Sequence, residues 1–196
     1  SIVLYSTRTG NTKMVAEAIA SALPEGTPCR NIREMNESLS DYDCVFMGFW
    51  VDKGTADDAS RKVLENLHNR HVAVFATAGV NPASSHAQDC LKNGASLLPE
   101  GKKPAGTFIC QGKVDPQLIE AMYKRFPADN PHGRNPERNL QLDTRTDFVT
   151  IHRHFMHHVR PENLEKFTSQ KHTHLEEELF LHGAYSRTKL CRVAVL

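Results

Sequence analysis

Ser6-Thr7-Arg8-Thr9-Gly10-Asn11-Thr12 places four hydroxyls, one cation and one glycine between an apolar run and a stretch of helical periodicity. That composition suits anion binding. A helix N-terminus carries a partial positive charge and unpaired N–H groups. Hydroxyls add donors, and a glycine lets the backbone turn closely round a ligand. The spacing is neither the GxxxxGK[ST] of a nucleotide-triphosphate loop nor the GxGxxG of a dinucleotide turn. Neutral donors with Arg8 as the one nearby charge suit a phosphate monoester. The competing reading is a strand–helix turn with a good N-cap, which needs only one of these residues.

Three further stretches hold unusual residues. Gly48-Phe49-Trp50-Val51-Asp52-Lys53-Gly54-Thr55 contains the one tryptophan of the chain. An indole offers a flat wall for a planar ligand, or else it caps the core. Phe49 is the alternative wall, because strand alternation turns one of the two rings inward. Thr77-Ala78-Gly79-Val80-Asn81-Pro82 is small enough for backbone amides to approach a ligand's polar edge. Cys110-Gln111-Gly112-Lys113 offers a cation that either faces developing negative charge or is a solvated loop lysine. Cys110 reads as a packed strand residue rather than a redox thiol. No general acid or base stands out beside these stretches.

The elements that must position them alternate in type. Strands are expected over 2–6, 29–32, 43–49, 71–77 and 107–110. Helices are expected over 13–23, 55–67, 84–98 and 115–126. Thr55 is the expected cap of the second; Val63, Leu64 and Leu67 form its inner face, and Leu118, Ile119 and Met122 turn inward on the fourth. This rhythm argues for an α/β, doubly wound parallel sheet of five strands in the order 2-1-3-4-5. Ligands of such sheets sit beyond the carboxyl ends of the strands. All four stretches fall there.

At 196 residues the chain is long enough for one domain with an appendage. With 24 basic and 23 acidic side chains, its net charge of +1 gives no field directed at nucleic acid or acidic lipid. No apolar run reaches the roughly 18 residues of a membrane span. The chain opens directly on a core strand, without the pattern of a secretory signal. Cys29, Cys44, Cys90, Cys110 and Cys191 form an odd, scattered set without a CxxC pair, as expected of free thiols in a reducing cytoplasm.

Tyr5-Ser6-Thr7-Arg8-Thr9-Gly10-Asn11-Thr12 resembles the phosphate-binding signature of the flavodoxins, a T/S-x-T-G-N-T turn that grips the phosphate of FMN. The resemblance implies a flavodoxin-like domain over 1–126 with noncovalently bound FMN. Ser6, Thr7, Arg8, Thr9, Gly10, Asn11 and Thr12 would surround its phosphate. Phe49, Trp50, Val51, Asp52, Lys53 and Gly54, with Thr77, Ala78, Gly79, Val80, Asn81, Gln111, Gly112 and Lys113, would surround its ring. By position Trp50 is similar to the aromatic that flavodoxins stack on the ring. The loops lack the acidic residues of many electron-carrier flavodoxins, which implies a less extreme reductant.

GFWVDKGTAD, FATAGVNP, FICQGK and PHGRNPER resemble a subgroup of flavodoxin-like proteins in anaerobic bacteria, including the partner encoded beside a bilirubin reductase. That implies an electron-transfer protein serving a partner reductase, with a tetrapyrrole or similar acceptor. Two alternatives stay open: a flavin enzyme acting directly on a porphyrin, bilin, haem or quinone, and a module whose loop binds phosphate alone. Flavodoxin-fold protoporphyrinogen oxidases also open with a similar STR-type loop.

Residues 127–196 read as an extension: a turn-rich excursion, helices over 147–159, 161–170 and 174–182, and an apolar end over 185–196. His154 and His158 stand four apart on one expected helix face, the spacing at which two imidazoles meet one metal or haem. The same residues also read as a polar helix face or as a docking surface that strengthens on protonation.

Overall fold

The structure, a computed structural model, describes residues 1–127. The expected histidine pair and the helices of the extension lie outside them.

The elements run β1 (Ile2–Tyr5), α1 (Asn11–Ser21), β2 (Cys29–Asn31), β3 (Cys44–Asp52), β4 (Thr55–Ala56), α2 (Asp58–Leu64), β5 (His71–Ala78), α3 (Ser85–Ala95), β6 (Gly106–Gln111) and α4 (Pro116–Arg125). Five parallel strands are ordered β2-β1-β3-β5-β6, and the short β4 pairs antiparallel with β3. Setting β4 aside, this is the 2-1-3-4-5 order expected of the sequence.

Both faces of the sheet are covered, so its central strands are apolar at nearly every position. Alternation sorts the side chains between two core layers. Val3, Tyr5, Phe46, Phe75 and Phe108 meet Val15 and Ile19 of α1 on one face. Ile2, Leu4, Val45, Met47, Phe49, Val74 and Ile109 meet Leu64 of α2 and Leu91 of α3 on the other.

Several features differ from expectation. Helix α1 begins at Asn11, because Gly10 takes the left-handed conformation (φ 85°, ψ −11°) that turns the chain straight into the helix. Strand β3 continues through Trp50, Val51 and Asp52, which were expected in a loop. It turns back at Lys53-Gly54, both with positive φ (47° and 82°), as a two-residue hairpin of the primed type requires. Thr55 therefore belongs to β4 and does not cap α2; that cap is Asp57. On α4, Leu118 is 40% exposed, against the expectation that it turns inward, whereas Ile119 and Met122 are half-buried. Periodicity revealed the stripe without revealing what covers it.

Candidate functional site

The carboxyl ends of the strands meet along one edge. Tyr5 sits beside Gly48, Trp50 beside Thr77, and Ala78 beside Gln111. The chain leaving β1 thus passes close to Trp50, and the turns after β5 and β6 emerge next to it.

The loop between β1 and α1 divides into an inner and an outer set. Ser6 is 1% exposed, its N–H donates to the Gly48 carbonyl and its hydroxyl donates to Asp57 Oδ1 at 2.9 Å. Thr12 is fully buried and shares a 2.8 Å hydrogen bond with the hydroxyl of Thr77. Asn11 donates through Nδ2 to Thr9 Oγ1 and to the Lys113 carbonyl, each at 2.8 Å, and accepts from the Lys113 N–H. Both amide protons are thereby used, and the side chain clamps the first loop to the turn after β6. That clamp requires close approach: a Cβ on Gly112 would lie 2.9 Å from the Asn11 amide. Ser6, Asn11, Thr12 and Thr77 thus direct their side chains into the fold and hold the loop's shape.

Thr7, Arg8, Thr9 and Gly10 form the outer set, from half-buried to exposed. Thr7 Oγ1 accepts the Gly10 N–H at 3.0 Å, and Thr9 Oγ1 accepts from Asn11. Each hydroxyl therefore has a lone pair occupied from within the loop and a proton available to an outside acceptor. Helix α1 begins just behind them with no side-chain cap and no acidic residue in its first turn. Helices α2, α3 and α4 each carry a side-chain cap, from Asp57, Ser84 and Asp115. Two outward hydroxyl donors, an uncapped helix N-terminus and a glycine with open space around its Cα fit a phosphate group.

The two rings of β3 part as alternation requires. Phe49 is fully buried against Gly94 of α3 and cannot wall a ligand. Trp50 is half-buried at the edge, with the Arg8 guanidinium 5.6 Å from its ring centroid. Val51 and Asp52 are half-buried, and Lys53 projects from the hairpin, which Asn93 of α3 pins through the Gly54 carbonyl at 3.0 Å. Ala78 is buried at the end of β5, Gly79 is half-buried, and Val80 and Asn81 are exposed. Asn81 Oδ1 accepts from the Ala83 N–H and shapes that turn. Gln111 is half-buried as the last residue of β6, Gly112 donates its N–H to the Ala78 carbonyl, and Lys113 is exposed.

Among the described residues, Cys29, Cys44, Cys90 and Cys110 are free thiols. Cys110 is 1% exposed within the core. Burial pushes Cys29 up to about 11 and Cys44 up to about 12, away from thiolate chemistry. Among the described residues, no group of three His, Cys, Asp or Glu side chains is placed to hold a metal, and no helix is long and apolar enough to cross a membrane.

Sequence reading missed Asp57. Its carboxylate is 3% exposed and accepts from Ser6, from the Ser60 N–H at 3.2 Å and from the Ser60 hydroxyl at 2.7 Å. An Asp three residues before a Ser, following a lysine–glycine turn, is the local signal for that cap.

A family model described as a flavodoxin domain matches residues 2–149. A flavodoxin-like domain-containing protein BilS of Clostridioides difficile (strain CD3) is 38% identical over 145 residues, covering 71% of this chain and 82% of that protein. The BilS of Clostridium symbiosum (strain WAL-14163) is 28% identical over 148 residues, covering 67% and 78%. Among solved structures, a flavoprotein in complex with FMN from Lactobacillus acidophilus NCFM aligns with a TM-score of 0.45 at 18% identity, over 55% of this chain and 91% of that one.

Proposed function

The chain belongs to the flavodoxin family, and from that premise we propose that it is an electron-transfer protein supplying a separate reductase that acts on a tetrapyrrole or similar acceptor. FMN is its cofactor. When bound, the flavin supplies the redox chemistry; the chain's own residues bind, orient and shield it. The N–H groups at the start of α1, with the hydroxyls of Thr7 and Thr9, hold the phosphate. Trp50 walls the ring, and the turns at Gly79–Asn81 and Gln111–Lys113 line its polar edge. Residues 1–126 are the FMN domain in this reading, and 127–196 extend it.

The observation that carries the reading is the uncapped N-terminus of α1 behind two outward-donating hydroxyls, at the edge that also presents Trp50. The carrier role is favoured over catalysis because, among the described residues, the edge presents Arg8, Asp52, Lys53 and Lys113 without a histidine, the buried Asp57 is taken up by Ser6 and Ser60, and electron transfer needs no general acid or base. The acceptor class rests on the likeness of the post-strand loops to the tetrapyrrole-linked subgroup.

Stopped-flow reoxidation of the FMN-loaded, reduced protein tests the role. Slow reaction with free bilin, porphyrin and quinone, and fast reaction once a partner reductase is added, is the expected result. Rapid oxidation by one small substrate alone would replace the carrier with an enzyme.

A further inference from the structure

Arg8 is the one charged side chain of the first loop, and its guanidinium lies over Trp50, 5.6 Å from the ring centroid. The loop backbone around it is pinned: Thr7 takes the Gly10 N–H on one side, and Asn11 holds Thr9 on the other. Movement is therefore concentrated in the Arg8 side chain. The ion pairs Lys13–Glu17 and Arg30–Glu37 leave it out. Trp50 is half-buried at the strand edge, and Arg8 lies over the ring that this edge would offer a planar ligand.

We propose that Arg8 is a specificity-determining residue that exchanges partners when ligand binds, leaving the Trp50 face to the flavin ring and turning to the phosphate. This rests on the FMN reading above. The exchange makes recognition of the two ends of the ligand interdependent. A ring that arrives with a phosphate displaces the guanidinium and supplies its new partner. A ring without one displaces the same contact and leaves the cation to solvent alone. Arg8 thus favours the phosphorylated flavin twice, by attracting the phosphate and by competing with rings that lack it. A guanidinium suits both positions, being planar for the indole face and a fork for phosphate oxygens.

Opposite signs for two ligands follow. In Arg8→Ala, FMN should bind about tenfold more weakly, through loss of a charge-assisted contact. Riboflavin should bind about two- to fivefold more tightly, through removal of the competitor on Trp50. Arg8→Lys keeps the charge but not the planar stack, so it should recover most of the FMN affinity while riboflavin still binds more tightly than to wild type. The experiment titrates the full chain and both variants with FMN and with riboflavin, following flavin fluorescence and heat. Weakening of both ligands by the same factor in Arg8→Ala, or no change in riboflavin affinity, would overturn the exchange while leaving the FMN reading intact. Failure of wild type to bind FMN at all would overturn the FMN reading and this inference with it.

Discussion

The loop that leads into α1 is joined by one hydrogen bond to the residue that caps α2, yet the two helix N-termini are satisfied in opposite ways. At α2 the donors are met from inside: Asp57 caps the helix, binds the Ser60 N–H and hydroxyl, and is 3% exposed. At α1 no side chain caps the helix, Gly10 stands in the left-handed conformation, and the hydroxyls of Thr7 and Thr9 face outward. The α2 terminus is closed from within, and in the proposed reading the α1 terminus is the one open to the FMN phosphate. The Ser6–Asp57 bond at 2.9 Å makes the closed one the support of the open one. An uncapped helix forgoes about 1 kcal/mol relative to a good cap, a loss that the proposed phosphate would offset.

The contrast can be broken most severely at Thr9. Thr9→Asp sets a carboxylate where the phosphate belongs, and FMN affinity should fall by about 1,000-fold, on the order of 4 kcal/mol. Isothermal titration retaining micromolar affinity would remove the phosphate from this loop. At the closed terminus, Asp57→Ala deletes the cap and strands the Ser6 and Ser60 donors. Unfolding in urea should show about 3 kcal/mol less stability, with Asp57→Asn losing about 1 kcal/mol because one amide oxygen still accepts. Equal losses in the two variants would mean that the bonds to Ser6 and Ser60 contribute little.

Gly10→Ala meets open space but requires an L-residue at φ 85°. Stability should drop by about 1–2 kcal/mol, with a further loss of FMN affinity as the turn relaxes. An unchanged urea midpoint would show that the turn tolerates a side chain. Smallest is Trp50→Ala, which should weaken FMN by about fivefold, near 1 kcal/mol, and brighten the emission of bound flavin, since a stacked indole quenches it. Unaltered emission would place the stacking wall elsewhere.

The strand–helix alternation, the strand order and the clustering of unusual residues at one edge could all be inferred from the sequence. Apolar runs and helical spacing are local signals, and the position of the switch point follows from topology. The division of labour within the first loop was not legible. Ser6, Asn11 and Thr12 look in sequence like ligand donors equivalent to Thr7 and Thr9; only Asp57, Thr77 and Lys113, from 51 to 102 residues away, decide that they turn inward. The hairpin at Lys53-Gly54 was hidden because lysine rarely takes positive φ. It carried Trp50 from an expected loop onto the end of a strand. The Phe49 and Trp50 alternatives were framed by strand alternation, but which ring pointed inward depended on the close approach of Gly94.

The most direct test of the open-terminus account is an amide chemical-shift titration of the isotopically labelled full chain with FMN. The account predicts that the N–H signals of Thr7 to Lys13 move most among those near the two helix starts, and that the amides of Asp58 to Arg61 stay in place. Large shifts at the start of α2, or stationary signals at the start of α1 when FMN is bound, would contradict it.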